Sequence, residues 1–248
     1  SSPQEWYASL PPVSRLWGTV CLATTCGVQF GLIDPRVIIL DWSAVAYKFQ
    51  VWRLLTNFCF LGGFSLPFAF RLIMIAQYSV QLEQRAYAGR TADFAFALIF
   101  GMGTLLIPPL IFPGLGLFLQ SGPLVYMVLY LWSREYPTAN VNIMGLVPLK
   151  ALYLPWGMLA VHAIMGQNPI PDFLGILAGH LYYFLTALYP RAGGPTLIST
   201  PQWVHELCAQ GFGTRAQTTY FTRTTNRPAP AAPRWGGGGG GGGGNAGA

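Results

Sequence analysis

The chain has 248 residues, of which 14 are Lys or Arg and 8 are Asp or Glu, so 9% are charged where soluble domains carry roughly 25%. With 52% hydrophobic residues, 15% aromatics and a mean hydropathy of +0.42, so few charges cannot cover a soluble fold, and disorder over the whole chain is excluded as well. The chain is a membrane protein by composition, and the placement of its net charge of +6 decides its topology.

Residues 1–15 form a short N-terminal segment containing Glu5 and Arg15. An apolar helix needs about 20 residues to cross a bilayer, and six runs approach that length. Residues 16–33 are uncharged and read as a retained signal anchor, because no convincing small-x-small cleavage site follows. Residues 57–80 carry a single charge, Arg71, and residues 94–112 end near Pro108-Pro109. The fourth run is 115–132, the fifth 146–166 with Pro148 and Pro155 inside it, and the sixth 170–189. Prolines within spans are tolerated where neighbouring helices re-satisfy the freed carbonyls.

The connections are unequal. Residues 34–56 hold Trp42, Tyr47, Phe49 and Trp52 among five charges, too aromatic for a solvated loop and suited to lying at the bilayer interface. Counting Lys and Arg outside the spans puts ten on one side and three (Arg36, Lys48, Arg53) on the other. The positive-inside rule then places both termini in the cytosol and the aromatic loop on the opposite face. Residues 1–190 carry nine basic and seven acidic groups, whereas 191–248 carry five Arg and one Glu and end in a Pro/Ala segment and nine consecutive glycines. That end reads as a basic, disordered cytosolic tail, whose arginines favour anionic lipid. The expected fold is thus an all-α membrane protein, a bundle of six transmembrane helices followed by this tail.

The four cysteines (Cys21, Cys26, Cys59, Cys208) have no metal-ligand spacing, and no disulfide framework, metal site or cofactor is expected.

Several short motifs follow one another in order. They are Leu10-Pro-Pro before Arg15, Phe49-Gln-Val-Trp52-Arg53-Leu-Leu-Thr56, Leu82-Glu83, Arg90-Thr-Ala-Asp93-Phe94, Leu131-Trp132-Ser133-Arg134, Tyr153-Leu-Pro-Trp156 and Gly175-x3-Gly179-His180. As a collinear set over about residues 6–204 they resemble the Derlins, rhomboid-like pseudoproteases of endoplasmic-reticulum-associated degradation, and most closely the plant-type members. The resemblance implies a rhomboid-like bundle that recognises misfolded proteins and helps move them to the cytosol. It implies an endoplasmic-reticulum ubiquitin-ligase complex and a cytosolic AAA ATPase segregase as partners, with homo- or hetero-oligomers and no nucleic acid.

Carried onto this sequence, Trp52-Arg53 resembles the tryptophan–arginine motif of the rhomboid first loop. Physically, Trp seats the loop at the interface while Arg contacts headgroups or carbonyls. Gly175 and Gly179 stand on one face of the sixth run and let another helix approach closely; the resemblance implies that this partner is the fourth. His180, His162, Asp172 and Arg71 are the titratable groups expected inside the membrane, where an unpartnered polar group is expensive.

Rhomboid proteases open their fourth span on Gly-x-Ser-Gly and place a histidine one turn before the paired glycines. Here the corresponding stretch is Leu119-Gln120-Ser121-Gly122, so Ser121 stands at the nucleophile position without the preceding glycine. The position three residues before Gly175 is Asp172, and His180 lies eight residues further on, about 12 Å along a helix. A serine without a positioned base is an ordinary alcohol, so the chain reads as a pseudoprotease. Intramembrane proteolysis by Ser121 and a channel or transporter are the alternatives; against the latter stand the lack of an internal repeat and the scarcity of intramembrane charges. Some family members end in an aromatic-and-glycine box that binds the ATPase. Trp235, Gly237 and Gly239 fit its first half, but the leucine that should follow is replaced by more glycine.

Overall fold

The computed structural model describes residues 2–143 and 147–212. A helix of 7 residues and one of 18 open the chain. A capping box starts α1 (Pro3–Ser9), with Glu5 donating its amide to Ser2 Oγ and accepting the Ser2 amide in return. The two prolines after Leu10 break the helix, and Pro12 at the first position opens α2 (Pro12–Gln29). Locally, α2 has no side-chain cap; Glu83, 70 residues away, supplies one. Its carboxylate accepts the amides of Val13 at 3.0 Å and Ser14 at 2.7 Å and the Ser14 hydroxyl at 2.7 Å.

The aromatic segment folds into α3 (Pro35–Ile38), α4 (Trp42–Lys48) and α5 (Arg53–Thr56), with Asp34 and Asp41 accepting the first amides of α3 and α4. Helix α4 ends at Phe49 in the left-handed conformation, φ 54°. Helix α6 (Leu66–Met74) is capped by Ser65 and continues through two π-helical turns, Ile75–Ser79 and Leu82–Ala86. Helix α7 (Thr91–Ile111) carries Pro108 and Pro109 in its last turn, so it ends one residue short of the expected run. Helix α8 (Ser121–Glu135) is buried at every position from Ser121 to Ser133, the signature of a helix enclosed on all sides.

Two antiparallel strands, β1 (Asn140–Ile143) and β2 (Val147–Lys150), pair Asn142 with Pro148. Strand β2 occupies the start of the fifth apolar run, so its helix, α9 (Leu154–Ile164), has 11 residues and rises only about 16 Å. The prolines set this division: Pro148 lies in a strand, and Pro155 sits in the first turn of α9, where its missing amide costs nothing. Helix α10 (Ile170–Tyr183) passes through a π-helical turn, Phe184–Leu188, into α11 (Tyr189–Arg191). Helix α12 (Gln202–Phe212) packs on α7 through Val204 and Cys208. Among the described residues a helix thus lies beyond 191, the point at which a tail was expected to begin.

Two helices among the described residues are long and apolar enough to cross a membrane: Thr91–Ile111 and the continuous Ile170–Arg191. Only 33% and 28% of their apolar windows are buried inside the protein. A core helix of a soluble domain hides most of its apolar surface; these two present theirs outward, where only a non-aqueous surrounding stabilises it.

Helix α8 is the hub, touching α6, α7, α9 and α10. Its closest partner is α10, and two glycines set the approach. A Cβ on Gly175 would overlap the Pro123 carbonyl, and one on Gly179 would lie 3.0 Å from the Tyr130 Cβ and 3.1 Å from the Met127 carbonyl oxygen. On the α7 side, a side chain at Gly101 would run into Met127.

Candidate functional site

Four helices bring polar side chains together at the end of the bundle where α8 begins. Helix α9 contributes His162, which is fully buried, and α10 contributes Asp172, 2% exposed. Their side chains meet at 2.7 Å, His162 Nδ1 donating to Asp172 Oδ2. The other carboxylate oxygen, Oδ1, faces Gly122: a Cβ there would lie 3.2 Å from it and 3.1 Å from Nε of Arg71, which arrives from α6. Gly122 is thus the space in which Arg71 and Asp172 converge. Arg71 also donates through Nη1 to the Leu61 carbonyl at 3.1 Å. The Tyr126 ring stands edge-on to His162, centroids 5.5 Å apart.

Four polar atoms around this group are buried without a hydrogen-bond partner: Arg71 Nε, Gln120 Oε1, Tyr126 Oη and His162 Nε2. Such atoms are costly in a low-dielectric interior, and four in one neighbourhood mark the least self-satisfied part of the bundle.

Ser121 opens α8 beside Gly122, and its hydroxyl is buried and donates to the Phe60 carbonyl at 2.5 Å. The histidine–aspartate pair resembles the base half of a catalytic triad, with Nδ1 held by the carboxylate and Nε2 left open. The serine proton is nevertheless directed at a backbone carbonyl. Of the expected site residues, Ser121, Asp172 and Arg71 share this neighbourhood. His180 does not. On the next turns of α10, His180 Nδ1 and the Tyr130 hydroxyl share a hydrogen bond of 2.7 Å, and that hydroxyl oxygen accepts from Arg134 Nε at 2.9 Å. The Arg134 guanidinium also stacks on the Tyr130 ring, 4.9 Å from its centroid.

Sequence reasoning named His162 but did not pair it with Asp172. A signal existed. Both are five residues from Gln167, at the centre of the turn between two consecutive helices, so an antiparallel helix pair brings them face to face. Tyr126 and Tyr130 carried no such signal, since tyrosines in an apolar helix are usually packing residues.

In the aromatic segment, Trp52 and Arg53 separate in role. Trp52 is 47% exposed and Arg53 only 8%. The guanidinium holds the segment's own backbone: Nη1 donates to the carbonyls of Arg36 at 2.5 Å and Ile39 at 2.8 Å, and Nε to Gln50 Oε1 at 2.7 Å. Here the arginine is buried against carbonyls of its own loop. Below it, Asn57 Nδ2 donates to the Arg53 and Leu54 carbonyls. Tyr47 and Phe49 point outward, 85% and 80% exposed. At the edge of this segment the Ser43 hydroxyl and amide and the Ala44 amide hold the exposed Asp41 carboxyl below its ordinary range, hydrogen bonding by the Ser43 side chain being the largest cause.

Among the described residues no group of three or more His, Cys, Asp or Glu side chains is placed to hold a metal. Trp235, Gly237 and Gly239 lie outside the described residues.

A bundle in which two long apolar helices turn much of their surface outward, around the buried stretch of α8 with a serine, a histidine and an aspartate at its start, is the arrangement of a helical membrane protein. Residues 10–202 match the model of the Der1-like family, and the chain belongs to that family. It is 52% identical over 214 residues to Derlin-1 of Arabidopsis thaliana, covering 85% of this chain and 79% of that protein. It is 49% identical over 210 residues to Derlin-1.1 of Zea mays, covering 85% and 86%. To Derlin-2.1 of Arabidopsis thaliana it is 34% identical over 214 residues, covering 83% and 88%.

Proposed function

We propose that this chain is a non-enzymatic component of endoplasmic-reticulum-associated degradation. It sits in the endoplasmic-reticulum membrane as six spans with both termini in the cytosol, binds misfolded proteins and aids their passage to the cytosol. Kinship with the Derlins supports the role. The observation that carries the non-enzymatic reading is the Ser121 hydroxyl, buried and donating to Phe60 at 2.5 Å, because a nucleophile must give its proton to a base.

In this reading α6, α8, α9 and α10 enclose a polar neighbourhood at membrane depth. The shortness of α9 and the unsatisfied atoms of Arg71, Gln120, Tyr126 and His162 favour a thinned and hydrated bilayer around the bundle, which lowers the cost of passing polar chain. The aromatic segment, with Trp52 outward and Arg53 as its internal clasp, lies at the lumenal entrance. An endoplasmic-reticulum ubiquitin-ligase complex and a cytosolic AAA ATPase complete the pathway, the latter docking on the tail around Trp235, Gly237 and Gly239. Further copies of this chain or of relatives assemble with it.

The test is a Ser121→Ala variant in cells lacking the endogenous protein, together with fluorophosphonate labelling of the purified chain. Normal turnover of a misfolded reporter and no Ser121-dependent labelling are expected. Labelling that disappears in Ser121→Ala, with loss of turnover, would make the histidine–aspartate pair the base of a protease and overturn the reading.

A further inference from the structure

Helix α12 has three faces. At about 100° per residue, Val204 and Cys208 share one side, and both are buried against Ala92, Ala95, Phe96 and Ile99 of α7. Turning one way brings Trp203 and Leu207, which are 54% and 61% exposed. Turning further brings Gln210 at the border beside Trp203, then Glu206 and Gln202, all exposed. The apolar arc is continuous, half covered by α7 and half uncovered, and the polar arc lies beyond it.

The place of the helix fixes what meets that uncovered half. The α7 residues it covers run from Ala92 to Ile99, about 10 Å of helix axis, starting beside the Arg90–Asp93 pair (3.7 Å) at the charged end of α7. The approach is fastened by Thr200, whose hydroxyl donates to Asp93 at 2.6 Å. If α7 spans the bilayer, α12 lies at the depth of the headgroups and upper acyl chains, side-on to a lipid-facing helix. A tryptophan and a leucine one turn apart are suited to that layer.

We propose that α12 is a membrane-surface helix, docked on α7 by its buried face and seated in lipid by Trp203 and Leu207. The inference rests on the reading of α7 as a span. Residues 202–212 contain no Lys or Arg, so apolar burial holds the helix down and anionic lipid is not required.

The purified full chain is reconstituted in phosphatidylcholine liposomes at about one copy per vesicle. Single substitutions Leu207→Cys, Gln202→Cys and, as a control within α7, Ile107→Cys are then labelled with a membrane-impermeant maleimide, with the unsubstituted chain giving the background. Leu207→Cys is expected to react at least ten-fold more slowly than Gln202→Cys, with Ile107→Cys protected. Equal rates at 207 and 202 with 107 still protected would overturn the proposal and leave the span intact. Free labelling at 107 would overturn the span and this inference with it. Protection at 207 that appears only at high protein-to-lipid ratio would assign the face to a second copy of the chain and overturn the lipid assignment.

Discussion

His162 and Asp172 face one another across the turn between α9 and α10 and join at 2.7 Å, with Arg71 across the space at Gly122 that the other carboxylate oxygen faces. The aspartate therefore stands between two nitrogen groups from two other helices. Removing it leaves His162 Nδ1 without its partner and Arg71 without a nearby opposite charge in a buried site. Asp172→Ala is expected to destabilise the protein by about 3 kcal/mol, as when one partner of a buried pair is lost. Asp172→Asn keeps an acceptor for Nδ1 and should cost less. Thermal unfolding of the two variants in detergent checks the order; equal midpoints would show that the carboxylate is not holding the helices.

The α8–α10 contact makes a sharper distinction between glycines. Gly175 meets the Pro123 backbone, whereas nothing lies within 4 Å of a Cβ at Gly103 on α7. Gly175→Ala should cost about 2 kcal/mol or more through forced separation of the helices, and Gly103→Ala should be neutral or stabilising by up to about 1 kcal/mol. Both numbers are read from unfolding in the same detergent.

The aromatic segment allows folding to be separated from function. Arg53→Ala removes three hydrogen bonds within residues 36–53, and limited proteolysis should then cut between 34 and 56 while the rest of the chain resists. Trp52→Ala breaks none of these bonds and should leave the proteolysis pattern unchanged while slowing turnover of a misfolded reporter. Normal turnover in Trp52→Ala would remove the exposed ring from the entrance.

Glu83 lies outside the expected spans and gives a pH signature. Burial pushes its carboxyl above the ordinary value of 4.5, the donors from Ser14 and Val13 offsetting only part of the shift. A carboxyl whose folded value is raised contributes stability that is present below its unfolded value and is lost as pH rises through the folded one. The melting temperature should therefore decline as pH rises from about 4.5 through the raised value, and Glu83→Gln should flatten that slope. The exposed Asp41, shifted downward, works in the opposite sense and only below pH 3.8, so the two groups separate on the pH axis.

Glu83 also shows why parts of the fold stayed illegible in the sequence. Nothing near Pro12 announces a cap for α2, because the cap comes from 70 residues downstream. The fifth apolar run contained its own correction in Pro148 and Pro155, yet proline alone does not say whether a run becomes a kinked span or a strand pair followed by a short helix. Pairing to Asn140–Ile143 decided that. The region after 190 had tail composition on average, and only the period of Val204 and Cys208 against α7 reveals a helix within it.

The sequence by itself determined the class of protein, because composition and apolar length are sums of transfer free energies that add residue by residue along the chain. It also determined which glycines permit a close helix approach and, through ordered motifs, the family. Only the tertiary structure decided that His162 belongs to Asp172, that the Ser121 proton goes to Phe60, and that Arg53 clasps its own loop. Those are hydrogen bonds, and their formation depends on distances of a few tenths of an ångström between groups from separate elements.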